Sequence, residues 1–162
     1  MEWQKEPARA QQFTDAMRFL AAKDTAEHVL FEYPFDSKDS VKLVDVGGGH
    51  GDVGILLANK HPKLKVVVQD LPHVVESAKE NTPENLKDRL EYQAHDFWTE
   101  QPLKDADIYF FRNIFHDWSD PYSIKLLKQT IPALKVGSRV IINDACIPPK
   151  GFLNSEQEMA LR

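Results

Sequence analysis

The sequence has little of what marks a secreted, membrane-spanning or nucleic-acid-binding chain. Its one cysteine, Cys146, cannot form a disulfide within the 162 residues, so a reducing, cytoplasmic environment fits best. No apolar run approaches the roughly 20 residues of a membrane span, and the polar first residues are not typical of a signal peptide. The net charge is −5, with no lysine and arginine cluster, which argues against nucleic acid as the main partner. We see no internal repeat and no convincing set of metal ligands.

The composition is that of one soluble globular domain. Hydrophobic residues make up 42% of the chain and charged residues 28%, which is enough to bury an ordinary core. Residues 1–36 show a helical apolar pattern that includes Phe13 and Met17, for which core packing is the default interpretation. We therefore predict an N-terminal helical segment over 1–36, followed by the main core over 37–162.

Glycine is also scarce, and four of the seven glycines stand together between residues 47 and 51. A short apolar run typical of a buried parallel strand precedes them, and a helical pattern follows. Such a turn exposes backbone N–H groups at a helix N-terminus, which favours an anionic ligand group. Asp45, two residues before the first glycine, instead repels phosphate and attracts a cation or a hydroxyl. The pattern favours a positively charged nucleoside. Dinucleotide binding and a tight turn without a ligand are the alternatives.

Strands and helices alternate along the rest of the chain. Asp120 and Pro121 predict a helix start with a capping carboxylate, and this helix extends through Leu134 to an end at Gly137. Further strands are predicted at 65–70, 90–94, 106–111 and 139–144. This order predicts an α/β fold with a doubly wound, mostly parallel sheet that binds ligands at the carboxyl ends of its strands.

Polar side chains follow or end the predicted strands. Asp70 can accept both ribose hydroxyls of an adenosine, although a lone aspartate there is more often a cap or turn residue. Asp96 and Phe97 suit an adenine, and Phe97 suits core packing equally well. His116 follows the fourth strand and Asp144 ends the fifth. An acid beside an imidazole fixes its tautomer, so this pair predicts a general base, with a capping or buried histidine as the alternative.

Four segments together carry a resemblance to a known family. They read VDVGGGHG at 44–51, QDLPHV at 69–74, HDFW at 95–98 and HDWSD at 116–120. In order and spacing they resemble the small-molecule O-methyltransferases that use S-adenosyl-L-methionine (SAM), in the branch that methylates plant phenolics and fungal aromatic polyketides. The resemblance implies a Rossmann-like class I methyltransferase core, with five strands present and the last strands missing.

The resemblance also implies roles for individual residues. His116 matches the catalytic base, Asp144 matches a family glutamate that orients it, and Asp117 joins this catalytic set. Arg112 stands where the family has a lysine near the cofactor. The residues expected to contact SAM are Asp45, Gly47, Gly48, Gly49, Asp70, Leu71, Asp96, Phe97 and Arg112.

For the whole protein, the resemblance implies methyl transfer to a hydroxyl of a small aromatic acceptor in secondary metabolism. Met17 and Phe13 fall where the family contacts that acceptor. The family forms homodimers through an N-terminal helical domain, and this chain begins near the expected start of the catalytic domain. A capping box at 155–158 opens a helix that reaches only residue 162, so we expect a truncated core with an exposed edge at the fifth strand.

Three hypotheses follow from the sequence. The first is the SAM-dependent O-methyltransferase core. The second is a nucleotide-dependent oxidoreductase, which Asp45 and the absence of a hydride-transfer signature weaken. The third is a non-catalytic module that binds SAM or pairs with another chain.

Overall fold

The computed structural model describes residue 35, residues 40–80 and residues 82–144. The predicted N-terminal helices, with Phe13 and Met17, lie outside these residues, as do Cys146 and the capping box at 155–158. None of the helices in the described ranges combines the length and the apolar character needed to span a bilayer.

The described residues form a five-stranded sheet with helices between the strands. In chain order the elements are β1 (Val41–Val46), α1 (Asp52–Lys60), β2 (Leu64–Asp70), α2 (Pro72–Lys79), β3 (Leu90–Ala94), β4 (Ile108–Arg112), α3 (Asp120–Thr130) and β5 (Arg139–Asn143). Single 3₁₀ turns occupy Glu84–Leu86, Phe115–Asp117 and Ile131–Ala133.

The strand order is β3-β2-β1-β4-β5, and every neighbouring pair is parallel. The register sets Asp45 opposite Val68 in β2 and Phe110 in β4. From β1 the chain first winds to one side through β2 and β3, and then to the other side through β4 and β5. The direction reverses between β1 and β4, which is where a doubly wound sheet opens a ligand crevice at its carboxyl edge.

Two apolar clusters cover the two faces of the sheet. Alternate side chains of β1 divide between them, with Leu43 on one face and Val44 on the other. The first cluster takes Leu57 from α1, and the second takes Leu126 from α3 together with part of the aromatic segment after β3. Burial on both faces explains why the three central strands, β1, β2 and β4, are nearly continuous in apolar residues.

The structure corrects three local predictions. Strand β4 begins two residues later than predicted, because the Asp107 side chain accepts a hydrogen bond from the Lys42 N–H at 2.9 Å instead of continuing the strand. Ser119, not Asp120, occupies the N-cap of α3, and no side chain caps it. The same helix ends at Thr130, before Leu134 and Gly137, because Pro132 lies in a following 3₁₀ turn and has no N–H to donate.

Candidate active site

The glycine turn after β1 is held against the end of β2 by backbone hydrogen bonds. The N–H groups of Gly47 and Gly48 both donate to the Gln69 carbonyl, at 2.8 and 3.1 Å. A Cβ atom on Gly47 would lie 2.7 Å from Ile114 Cδ1, at a positive φ of 72°. A Cβ atom on Gly48 would lie 2.6 Å from the Asp45 carboxyl carbon. No side chain fits at either position, so the backbone itself forms this wall of the crevice.

Asp70, the last residue of β2, points its carboxylate at the glycine turn. One oxygen accepts the Gly49 N–H at 2.8 Å, and the other accepts the N–H of Leu71 at 2.7 Å. A carboxylate has about four acceptor sites, so two backbone bonds leave capacity for ligand hydroxyls. A Cβ atom on Gly49 would meet nothing within 4 Å, which means that the turn is open at this point.

Asp45 lies beneath the glycine turn and is only 3% exposed. Burial and the charge of Asp70 together raise the pKa of Asp45 from 3.8 to about 7, and the charge of Arg112 acts in the opposite direction. The side chain is therefore close to half-ionised at neutral pH. A cation brought to the turn would favour the ionised form of Asp45.

The segment after β3 brings Asp96 and Phe97 to the same edge of the sheet. Asp96 is exposed, and one of its oxygens accepts the Trp98 N–H at 3.0 Å. Phe97 packs on the second apolar cluster and makes edge-to-face contacts with Trp98 and Trp118, at centroid distances of 5.2 and 6.5 Å. Its ring also comes within 3.6 Å of the Cβ position of Gly47. The ring thus belongs to the core and also borders the glycine turn.

His116 and Asp144 meet across the ends of β4 and β5. His116 Nδ1 lies 2.7 Å from one Asp144 oxygen, and the other oxygen accepts the Phe115 N–H at 2.9 Å. The carboxylate can only accept, so it favours the tautomer with the proton on Nδ1 and leaves Nε2 with a lone pair. The His116 side chain is 45% exposed and that of Asp144 only 10%, so the orienting group is buried and the imidazole is accessible.

The other two predicted residues flank this pair. Asp117 Oδ1 lies 3.6 Å from His116 Nε2, which is too long for a hydrogen bond and leaves the lone pair accessible. Arg112 ends β4 and is half-buried, and it is close enough to Asp45 for its charge to act on that carboxyl.

Three structural features of the site were not predicted from the sequence. Asn113, directly after β4, has a φ of +54°, which is rare outside glycine and turns the chain towards His116. Gln69 and Gln101 form a buried amide pair. The Tyr92 hydroxyl donates to the His50 carbonyl at 2.9 Å. Only Gln69 carried a sequence signal, as a polar residue at the end of the apolar run 66–68.

Among the described residues, no group of three or more His, Cys, Asp or Glu side chains is placed so that it could hold a metal ion. The groups at this edge are instead carboxylates, aromatic rings, the imidazoles of His50, His95 and His116, and a glycine turn.

Comparison with known proteins agrees with this geometry. The family model described as an O-methyltransferase domain matches residues 3–161. The chain belongs to this family. It is 41% identical over 164 residues to the chlorophenol O-methyltransferase of Trichoderma longibrachiatum, covering 98% of this chain and 35% of the relative. It is also 41% identical over 160 residues to the grayanic acid biosynthesis cluster O-methyltransferase of Cladonia grayi, covering 96% and 35%. The chain thus spans about a third of the length of these curated relatives.

Solved structures of relatives show the same class I Rossmann-like methyltransferase fold. The mitomycin 7-O-methyltransferase MmcR has a TM-score of 0.84 at 27% identity, covering 98% of this chain and 45% of MmcR. A LepI variant in complex with S-adenosylhomocysteine (SAH) and a substrate analogue has a TM-score of 0.75 at 30% identity, covering 91% and 39%. A structure described as a pericyclic reaction enzyme has a TM-score of 0.63 at 34% identity, covering 75% and 31%.

Proposed function

We propose that this protein transfers a methyl group from SAM to a hydroxyl of a small aromatic acceptor, phenolic or polyketide, with His116 as the general base. The observation that carries the proposal is the His116–Asp144 pair, 2.7 Å apart, at the sheet edge that also bears the glycine turn. A histidine oriented by a buried carboxylate beside an acid-rich nucleoside site is the combination that this reaction needs.

The residues around the turn match the chemistry of SAM. The cofactor carries a sulfonium, a ribose diol and an adenine, and it supplies the electrophilic methyl group when it is bound. We assign the methionine end to Gly47, Gly48 and Gly49, with Asp45 beneath them as a source of negative charge. The open turn at Gly49 agrees with this assignment, because it leaves room for a ligand against the backbone.

We assign the adenosine part of SAM to the carboxyl ends of β2 and β3. We assign the ribose to Asp70 and Leu71, because the Asp70 carboxylate keeps acceptor capacity. We assign the adenine to Asp96 and Phe97, because the Phe97 ring borders the turn and the neighbouring Asp96 carboxylate is exposed. Arg112 lies near the cofactor as a positive counterpart to the carboxylates.

His116 removes the acceptor proton as the oxygen attacks the methyl group. A phenol has a pKa of ~10 and an imidazole a pKa of ~6.5. Complete transfer of the proton from phenol to imidazole therefore costs roughly 5 kcal/mol in water, at ~1.36 kcal/mol for each unit of pKa difference. The positive charge of a bound sulfonium would offset part of this cost. Asp144 holds the imidazole and stabilises its protonated form. Alignment of the oxygen with the methyl group supplies much of the remaining rate enhancement.

The acceptor class rests on the relatives. The name of the Trichoderma enzyme is that of a chlorophenol O-methyltransferase, and a phenol is the acceptor that a histidine base handles at neutral pH. We assign acceptor contacts to Met17 and Phe13, which lie outside the described residues. A homodimer is our expectation for the full-length protein.

The first experiment is a calorimetric titration of the protein with SAH, with NADH as the control ligand. We expect saturable binding of SAH and none of NADH, and the reverse result would favour the oxidoreductase. Transfer of the labelled methyl group of SAM to a panel of phenols then tests the reaction. His116→Ala should abolish transfer with SAH affinity within about twofold of native, whereas a large loss of affinity would contradict the base assignment.

A second candidate is a SAM-binding protein that transfers no methyl group. The 34% identical structure described as a pericyclic reaction enzyme favours it, because relatives of this chain are not all described as methyltransferases. Saturable SAH binding without labelled product from any phenol would support this candidate. The same result would also fit a non-catalytic module that pairs with another chain.

A further inference from the structure

Two buried glutamines face each other on the second face of the sheet. Gln69 is fully buried and Gln101 is 2% exposed. Their side-chain amides exchange two hydrogen bonds, each 2.8 Å long. Gln69 also donates to Gln93 Oε1 at 2.7 Å, and Gln101 Oε1 accepts the Leu103 N–H at 3.1 Å. Each amide is therefore satisfied within the protein, as burial requires.

The backbone of each glutamine belongs to a different part of the proposed cofactor site. Gln69 precedes Asp70, and its carbonyl accepts both N–H groups at the start of the glycine turn. Gln101 follows the segment that carries Asp96 and Phe97, and its own N–H donates to the Gln129 carbonyl in α3 at 3.0 Å. The amide pair therefore joins the strand end assigned to the ribose to the segment assigned to the adenine.

Core stability alone does not require this chemistry. Burying an amide costs free energy unless its hydrogen bonds are replaced, and two apolar side chains of similar volume fill such a space at little net cost. Paired amides differ from apolar contacts in being directional, so they fix one relative position of the two segments. The His95 N–H already ties the end of β3 to the Asp70 carbonyl at 2.9 Å, and the amide pair adds a second tie beyond Asp96 and Phe97, so the segment that carries them is held at both ends.

We propose that the Gln69–Gln101 amide pair is a positioning device for the adenosine of SAM. The pair holds Asp70 at the correct distance from Asp96 and Phe97, and neither glutamine needs to contact the ligand. The inference rests on the proposed function, since it concerns the same site.

The decisive variant replaces both amides by apolar side chains of similar length, Gln69→Met/Gln101→Met. Tyr109→Phe is the matched control. The Tyr109 hydroxyl is buried on the same face, with the Leu103 and Ala133 carbonyl oxygens each 2.9 Å away, so its loss removes a buried hydrogen bond while both glutamine amides stay in place. Native protein and both variants are titrated with SAH and with adenosine, and their thermal unfolding is measured.

We expect the double variant to unfold within a few degrees of Tyr109→Phe but to bind SAH and adenosine at least tenfold more weakly. Tyr109→Phe should keep the native dissociation constants within about twofold. In Gln101→Glu, a protonated carboxyl group can again form a paired hydrogen bond with the Gln69 amide. At acidic pH this variant should therefore bind SAH and adenosine more tightly than the double variant does. A folded double variant with native affinity for both ligands would overturn the inference.

If the double variant does not fold, Gln101→Met decides by the same criterion, because Gln69 keeps its bond to Gln93. Failure of the native protein to bind SAH would instead overturn the proposed function. The two failures are distinguishable, since only the second appears before any substitution is made.

Discussion

Asp45→Asn should stabilise the protein, and the gain should grow with pH. The folded protein holds a proton on Asp45 up to a pKa of about 7, whereas the unfolded chain releases it near the ordinary value of 3.8. The folded state thus binds more protons between these values, and its stability falls as pH rises through this window. At about 1.36 kcal/mol for each pH unit, the cost of the buried carboxylate reaches about 4 kcal/mol above pH 7.

Urea unfolding of native protein and Asp45→Asn at pH 4, 6 and 8 tests this reasoning. Near pH 4 the two proteins both carry a neutral group of the same shape, so their unfolding free energies should agree closely. By pH 8 the variant should be the more stable by up to about 4 kcal/mol, a figure that already includes the attraction between Asp45 and Arg112. Asp96→Asn is the control, because it makes the same change of atoms at an exposed side chain.

A difference that stays constant from pH 4 to 8 would refute the reasoning. A native protein more stable than Asp45→Asn at pH 8 would also refute it, since the attraction between Asp45 and Arg112 would then exceed the cost of burial. The stabilising variant should nevertheless prefer SAM over SAH less strongly than native protein does, because it lacks the negative charge beneath the sulfonium.

Three further substitutions test the site. Asp70→Ala should weaken SAH binding by ~1–3 kcal/mol in calorimetry, because hydroxyls and the Gly49 N–H lose an acceptor; unchanged affinity would remove Asp70 from the site. Asp144→Asn should lower the methyl-transfer rate at least ~100-fold with little change in SAH affinity, because an amide no longer holds the base tautomer; full activity would contradict the orienting role. Gly48→Ala should abolish SAH binding, since its Cβ would lie 2.6 Å from the Asp45 carboxyl, and native affinity would show that the turn can yield.

The central strands β1, β2 and β4 could be predicted because burial on both faces leaves a plain pattern of apolar runs. All five strands were found, and the gathering of Asp70, His116 and Asp144 at one edge followed from parallel strand direction alone. The His116–Asp144 contact joins residues 28 positions apart, yet it was predictable because both strand ends had been located.

What could not be predicted depends on tertiary contacts. Strand β4 starts late because Asp107 binds the backbone of β1, and α3 is shorter than its apolar pattern suggested. Two apolar residues of this segment, Ile124 and Ile131, are 53% and 60% exposed, so not every apolar position of the pattern faces the core. The left-handed Asn113 and the partner of Gln69 have no local sequence signature, because each depends on a segment distant in the chain.

The proposed roles divide between the two halves of the sheet. The assigned cofactor contacts follow β1, β2 and β3, whereas the proposed base His116 and its partner Asp144 follow β4 and β5, on the other side of the point where the winding reverses. Both oxygens of Asp144 bond to the segment of His116 itself, so the imidazole is oriented without help from the cofactor side. Variants of His116 should therefore change the rate without changing affinity, and variants of Gln69 should do the opposite. Arg112 is the exception, because it ends β4 and its charge acts on Asp45 across the crevice. Replacement of Arg112 should therefore change both the rate of methyl transfer and the affinity for SAH.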